Sequence, residues 1–185
     1  IVLFAGQGAI SWTIQKFTKS PYSHIGMVIN SYEWDMLLLW ESTTLSKLKD
    51  LRSGEAREGV QIVPLSERIR TYEGSVAVRS LQGIEMTFEM KNALKEFRNE
   101  VKGRPYEKSK LELFKSAYDG PAGHNNEDLS SLFCSEQVAE AYQRMQIFTE
   151  ERSSNEYTPA DFHKDDSKLP FIGDAHFGDL TEIEV

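Results

Sequence analysis

The chain has 185 residues and a formal net charge of −8, with 39% hydrophobic and 27% charged residues. This length and composition are typical of a soluble, globular protein, and we assign residues 1–185 to a single domain. Lysine and arginine form no block, which argues against a nucleic-acid partner. No apolar run approaches the ~20 residues of a membrane span, and the single cysteine excludes an internal disulfide and zinc sites built on paired cysteines.

The N-terminal part predicts a strand, a glycine loop and a short helix. Ile1 to Ala5 is apolar, and residues 6–8 read Gly-Gln-Gly. Neither the third glycine of a dinucleotide fingerprint nor a Gly-Lys-Ser/Thr motif follows, so nucleotide binding is disfavoured. Ile10 and Ile14 begin a brief helical pattern that ends before Pro21.

A second strand carries a candidate catalytic histidine. Tyr22 to Ile29 alternates in polarity, which puts His24 and Gly26 on one face, with room beside the imidazole. Tyr22 shares that face and is a candidate for lining a substrate pocket. An isolated histidine on a strand is also typical of a core residue with a satisfied hydrogen bond, and this alternative stays open at this point.

A third strand leads to a candidate catalytic carboxylate. Met36 to Trp40 is a nearly continuous apolar run, which predicts burial on both faces, and Glu41 follows directly. A buried acid is rare unless it is paired; the alternative is that Glu41 is the first exposed residue after the strand. The short connection between this strand and that of His24 predicts antiparallel pairing, which would let Glu41 reach the imidazole.

The middle of the chain alternates between strands and helices. Amphipathic spacing predicts the helix after residue 87 most clearly, and Gly103 ends it. The predicted elements are a loop at 43–58, a strand at 60–65, a short helix at 67–72, a strand at 76–81, helices at 87–103 and 111–118, and a loop at 119–131.

The only cysteine lies at the predicted start of a helix. Apolar residues follow Cys134 with helical spacing, and Ser130 or Ser131 is a plausible N-cap. The unpaired N–H groups and the helix dipole at this position favour a thiolate. The alternative is a small buried hydrophobic residue at the start of a core stripe. A Pro-started helical turn at 158–162 and an edge strand at 179–185 complete the chain.

Six short motifs follow one another in a recognisable order. They are Pro21-Tyr22-Ser23-His24-Ile25-Gly26-Met27-Val28, Leu39-Trp40-Glu41-Ser42-Thr43, Gly59-Val60-Gln61-Ile62-Val63-Pro64-Leu65, Gly103-Arg104-Pro105-Tyr106, Phe133-Cys134-Ser135-Glu136 with Val138-Ala139, and Tyr157-Thr158-Pro159-Ala160-Asp161-Phe162. Together they resemble the circularly permuted NlpC/P60 papain-like cysteine hydrolases, and the YiiX/YebB-like group in particular. The resemblance runs from about Ile1 to Phe162.

The resemblance implies an α+β, permuted papain-like fold with an antiparallel sheet packed against the cysteine helix. Cys134 would be the nucleophile, His24 its acid and base, and Glu41 the group that orients the histidine. Tyr22 and, by resemblance only, Tyr106 would line the substrate pocket. The implied reaction is cleavage of an amide bond in a small peptide-like or amino-acid-containing substrate through an acyl-thioenzyme, without a cofactor.

Three alternatives to this function remain. One is acyl transfer or lipid hydrolysis of the lecithin:retinol acyltransferase-like type, and another is a non-catalytic binding module on the same fold. A metal site is disfavoured because the histidines, at 24, 124, 163 and 176, lack ligand spacing. Since the chain begins at Ile1 and not at methionine, a signal peptide could have been removed, and the sequence assigns neither a compartment nor an oligomeric state.

Overall fold

The structure, a computed structural model, describes residues 1–31, 34–45, 47–105, 132–163 and 166–184. These residues form a mixed α+β fold. The strands are β1 Val2–Gly6, β2 His24–Ser31, β3 Met36–Thr43, β4 Gly59–Pro64, β5 Gly74–Val78, β6 Leu81–Gln82, β7 His176–Phe177 and β8 Thr181–Ile183. The helices are α1 Ala9–Thr18, α2 Leu65–Arg70, α3 Phe88–Glu100, α4 Leu132–Arg144 and α5 Pro159–His163, with short 3-10 turns at Ser154–Glu156 and Asp166–Lys168.

The main sheet is antiparallel and has the strand order β4-β3-β2-β1-β5-β8. The register places Phe4 opposite His24, and Glu41 opposite Gln61. The predicted pairing between the His24 strand and the Glu41 strand is confirmed, because β2 and β3 are neighbours. The strand at 181–183 lies at the sheet edge, as predicted, while β6 and β7 form a separate pair.

Different helices pack on the two faces of the sheet. One face packs against α3 and α4 through a large core that includes Ile25, Trp40 and Val138. The other face carries a smaller apolar cluster around Phe4 and Leu39, which packs against α2. Because successive strand residues point to opposite faces, His24 and Glu41 lie on the α2 side of the sheet.

The apolar pattern predicted the type of most elements, but several boundaries differ. The strand β2 begins at His24, two residues later than predicted, and β3 runs on to Thr43. Glu41 is therefore inside a strand with 0% exposure, so its interpretation as the first exposed residue is wrong. Met36 and Leu37 are exposed near the hairpin end, so burial on both faces starts only at residue 38.

The C-terminal half shows further differences. The strand predicted at 76–81 is two strands, β5 and the short β6, because the chain leaves the main sheet after Val78. The predicted helix at 111–118, the loop at 119–131 and the N-cap at Ser130 or Ser131 lie outside the described residues. None of the helices that can be described is long and apolar enough to cross a bilayer.

Candidate active site

The first contact of the candidate site joins two neighbouring strands. His24 is the first residue of β2, and its Nε2 lies 2.6 Å from Oε2 of Glu41 on β3. The glutamate is fully buried, while the histidine keeps a small exposed surface. Because Nε2 faces the carboxylate, Nδ1 is the ring nitrogen left to serve another partner.

The Glu41 carboxylate has two further partners. Gln61 Nε2 donates to Oε1 over 3.0 Å from the opposite position on β4. Arg68 on α2 donates from Nε to Oε1 over 2.8 Å and from Nη2 to Oε2 over 3.3 Å. These contacts, with that of His24, satisfy both oxygens of a carboxylate that would otherwise be costly to bury.

Cys134 lies in the first turn of α4 and is buried. It lines the same cleft as His24, and its interaction with that imidazole raises the pKa of His24. Next along the helix, Ser135 donates from Oγ to the Tyr157 carbonyl oxygen over 2.5 Å, which fixes the start of α4 against the C-terminal segment. The sequence-predicted residues His24, Glu41 and Cys134 are thus brought together.

Opposite charges in this cluster stabilise each other. Burial lowers the pKa of His24, but the charge and hydrogen bond of Cys134, together with Glu41, raise it to about 9. Burial likewise raises the pKa of Glu41, yet the nearby Arg68 and His24 lower it to about 2. At neutral pH, the favoured state has an ionised glutamate and a protonated histidine.

A cleft of about 470 Å³ opens beside His24 and Cys134. Its walls come from the loop before α1, the end of β3, and the turn after α2. Ser23 and Ser42 are among the lining residues; their hydroxyl oxygens are buried, and neither has a hydrogen-bond partner within the described ranges. Lys47 and Glu73 form an exposed ion pair of 2.9 Å that also lines this cleft.

One of the two tyrosines predicted for the substrate pocket, Tyr22, does not line this cleft. Tyr22 is buried, its ring centre lies 4.9 Å from that of His163, and it is not among the residues that line the cleft. Because β2 begins only at His24, the strand alternation that predicted a shared face does not extend to Tyr22. Tyr106 lies outside the described residues.

Sequence reasoning missed Arg68 and Gln61. Arg68 is on a short helix that also carries the exposed Arg70, and nothing in the local sequence distinguishes the two. Gln61 did leave a signal, because it is the one polar residue between apolar neighbours on β4, opposite a buried acid. A polar side chain in a buried strand needs a hydrogen-bond partner. The presence of Gln61 opposite Glu41 therefore indicated that the two side chains bond to each other.

The residues at the site do not fit a metal ion. Within the part of the chain that can be described, no group of three or more His, Cys, Asp or Glu side chains could hold one. Both oxygens of Glu41 already accept hydrogen bonds. His163 packs on Tyr22, and His176 Nδ1 lies 2.8 Å from the Asp174 carbonyl oxygen. His124 lies outside the described residues.

At the level of sequence, neither a protein-family model nor a curated protein matches the chain. Its three-dimensional structure is similar to the crystal structure of the metalloprotein YiiX from Escherichia coli O157:H7 (DUF1105), with a TM-score of 0.51 and 23% sequence identity. The chain shares its fold with YiiX. The similarity covers 78% of this chain and 63% of the YiiX chain, so less than two thirds of the YiiX structure has a counterpart here.

Proposed function

We propose that this protein is a cysteine hydrolase that cleaves an amide bond in a small peptide-like or amino-acid-containing substrate. The supporting observation is that His24 lies 2.6 Å from the buried Glu41 carboxylate and lines the same cleft as the Cys134 thiol. A nucleophile, a base and a group that orients the base are the parts that acyl transfer through a covalent intermediate requires. The arrangement also fits the resemblance to permuted NlpC/P60 papain-like hydrolases.

In the first half-reaction, the Cys134 thiolate attacks the carbonyl carbon of the amide, and a C–S bond forms. The backbone N–H of Cys134 is in the first turn of α4 and can donate to the resulting oxyanion. Protonated His24 then gives its proton to the amide nitrogen, the C–N bond breaks, and the amine leaves. The products are an acyl-thioenzyme and neutral His24.

In the second half-reaction, His24 accepts a proton from water while the water oxygen attacks the thioester carbon. A C–O bond forms, the C–S bond breaks, and the carboxylic acid leaves. Cys134 returns as a thiolate beside protonated His24. Glu41 keeps the ring oriented and balances its positive charge throughout, as the 2.6 Å contact allows.

The cleft wall offers polar groups to a substrate. The exposed side chains of Gln7, Lys47, Thr71 and Glu73 line it. They can hydrogen-bond to the amide groups of a peptide-like substrate, whereas a fatty acyl chain has none. This supports amide hydrolysis over the lipid acyltransferase alternative.

The first test is alkylation of Cys134 by iodoacetamide as a function of pH. This is the only cysteine of the chain, so the reaction reports on one atom. The parent is compared with His24→Ala and with His176→Ala, a matched control at an exposed histidine. We expect an inflection well below the ~8.5 of a free thiol in the parent and in His176→Ala, and its loss in His24→Ala.

An ordinary thiol profile that His24→Ala leaves unchanged would contradict the proposal and favour a non-catalytic binding module. Given an activated thiol, two matched series of acyl donors separate the enzymatic alternatives. One series holds N-acetylated amino-acid anilides and the other holds long-chain acyl thioesters, and the covalent adduct on Cys134 is detected by intact-protein mass spectrometry. Acylation by the long-chain series alone would favour the acyltransferase.

A further inference from the structure

Arg68 forms the most extensive contact of the site outside the three residues already assigned. Its guanidinium group makes two hydrogen bonds to Glu41, one to each carboxylate oxygen, at 2.8 and 3.3 Å. Such a two-point contact fixes the orientation of the carboxylate as well as its charge. Both bonds go to Glu41, which in turn contacts the ring of His24.

The surroundings of Arg68 hold its charge in place. The side chain is only 3% exposed, and its Cζ lies 4.6 Å from the ring centre of Phe4 and 4.9 Å from that of Tyr72. Aromatic faces attract a guanidinium group, and an arginine stays protonated at any ordinary pH. Glu41 is the carboxylate with which Arg68 forms an ion pair. Arg68 therefore places a permanent positive charge beside Glu41.

This permanent charge decides where the proton between His24 and Glu41 is held. At 2.6 Å, the pair can exist as imidazolium and carboxylate or as neutral imidazole and carboxylic acid. Burial favours the neutral form, since both charges lose hydration. Arg68 bonds directly to the carboxylate and is one contact farther from the imidazole. Its positive charge therefore stabilises the carboxylate more than it destabilises the imidazolium, and so favours the ionised form.

We propose that Arg68 is a positioning residue that keeps this proton on His24 by holding Glu41 as an oriented carboxylate. The imidazolium is then available to pair with the Cys134 thiolate and to protonate a leaving group. The consequence for reactivity rests on the proposed hydrolase function, but the position of the proton does not. Without Arg68, the buried Glu41 takes the proton and the thiolate loses its counter-charge.

The experiment compares Arg68→Met, Arg68→Lys and, as a matched control on the same helix, the exposed Arg70→Met. Circular dichroism confirms folding. With Cys134 retained, ¹⁵N NMR of the imidazole reports the charge of His24 at neutral pH. In the same variants, the pH profile of iodoacetamide alkylation reports the reactivity of the thiol.

We expect an imidazolium signal in the parent and in Arg70→Met, and a neutral imidazole in Arg68→Met. In Arg68→Met, the inflection of the alkylation profile should rise toward the pH of a free thiol. The alkylation rate at neutral pH should fall by up to roughly 10-fold, since one pKa unit changes the thiolate fraction about tenfold. Arg68→Lys keeps the charge but not the two-point contact, and should fall between the two. It also provides the readout if Arg68→Met does not fold.

An unchanged imidazolium signal in the folded Arg68 variants would overturn this inference, even if they label more slowly. Failure of the hydrolase proposal looks different: the parent itself would show an ordinary thiol and no acyl adduct. In that case the NMR comparison still decides whether Arg68 holds the proton on His24.

Discussion

The missing side chain at Gly26 allows Glu41 to reach His24. A Cβ built at Gly26 would lie 2.8 Å from Leu39 Cδ1 and 3.2 Å from Glu41 Cβ. Both distances are shorter than the ordinary carbon–carbon separation of about 3.5–4.0 Å. The sequence predicted that Gly26 leaves room beside the imidazole, and the structure shows that side chains of β3 fill this room.

Gly26→Ala is therefore expected to harm both stability and reactivity. The added methyl must push Leu39 or Glu41 aside, which should cost about 1–3 kcal/mol of unfolding free energy. Alkylation of Cys134 at neutral pH should slow, because Glu41 can no longer approach His24 as closely. Urea denaturation and iodoacetamide labelling measure the two effects.

Gly8→Ala is the control for this substitution, since nothing lies within 4 Å of a Cβ there although the residue also lines the cleft. It should label at the parent rate. A Gly26→Ala variant as stable and as reactive as the parent would show that β3 yields to the methyl group without moving Glu41.

The sequence could indicate His24, Glu41 and Cys134 as candidates because each is a reactive residue type at a defined point of a strand or helix, and because their motifs together resemble a known family. It could not indicate Arg68, whose burial depends on how α2 packs over the sheet, a property that local spacing does not encode. The position of Tyr22 was misjudged for a related reason. The alternation of polarity continues before His24, but the strand does not.

At the scale of elements, α3 is attached to the sheet mainly through Phe97. Its ring is 5.6 Å from that of Trp40 in an edge-to-face arrangement, and the Arg144 guanidinium group of α4 lies 4.4 Å from its centre. Phe97 thus connects β3, α3 and the helix that carries Cys134. Amphipathic spacing predicted α3 well, because one face of that helix is buried and the other is solvated.

Two phenylalanines of α3 provide a matched pair. Phe97 is 5% exposed and Phe88 is 78% exposed. Phe97→Ala should cost about 3–5 kcal/mol of unfolding free energy through the lost burial and the cavity, whereas Phe88→Ala should stay within about 0.5 kcal/mol. Urea denaturation at neutral pH measures both, and equal losses would contradict the packing described for α3.

At the scale of the whole molecule, the notable charges are the buried ones in a chain of net charge −8. Glu41 and Asp50 are both fully buried acids on or beside the β3–β4 half of the sheet. Asp50 accepts a 2.8 Å hydrogen bond from the Ile62 N–H, and Arg57 lies 3.7 Å away. The lowered pKa of Glu41 couples the stability of the sheet to pH.

This coupling predicts how stability changes in acid. The pKa of Glu41 is lowered from 4.5 to about 2 in the folded protein, chiefly by Arg68 and His24 acting against burial. A depressed pKa contributes stability that is present above the unfolded value and is lost as pH falls through the folded value. We expect this group to contribute on the order of 3 kcal/mol, lost between about pH 5 and about pH 2.

The triple variant His24→Gln/Glu41→Gln/Arg68→Met removes Glu41 together with both cations that face it, so it should lack this component of the acid transition. The unfolding free energy is measured by urea denaturation across that pH range, and its slope with pH is compared with the parent's, since the absolute stability also reflects lost packing around Arg68. Glu73→Gln, at an exposed pair with Lys47, should keep the parent slope, because solvent screens that pair. If the triple variant also kept it, the acid sensitivity would come from other carboxylates, and the ionised state assigned to Glu41 would be wrong.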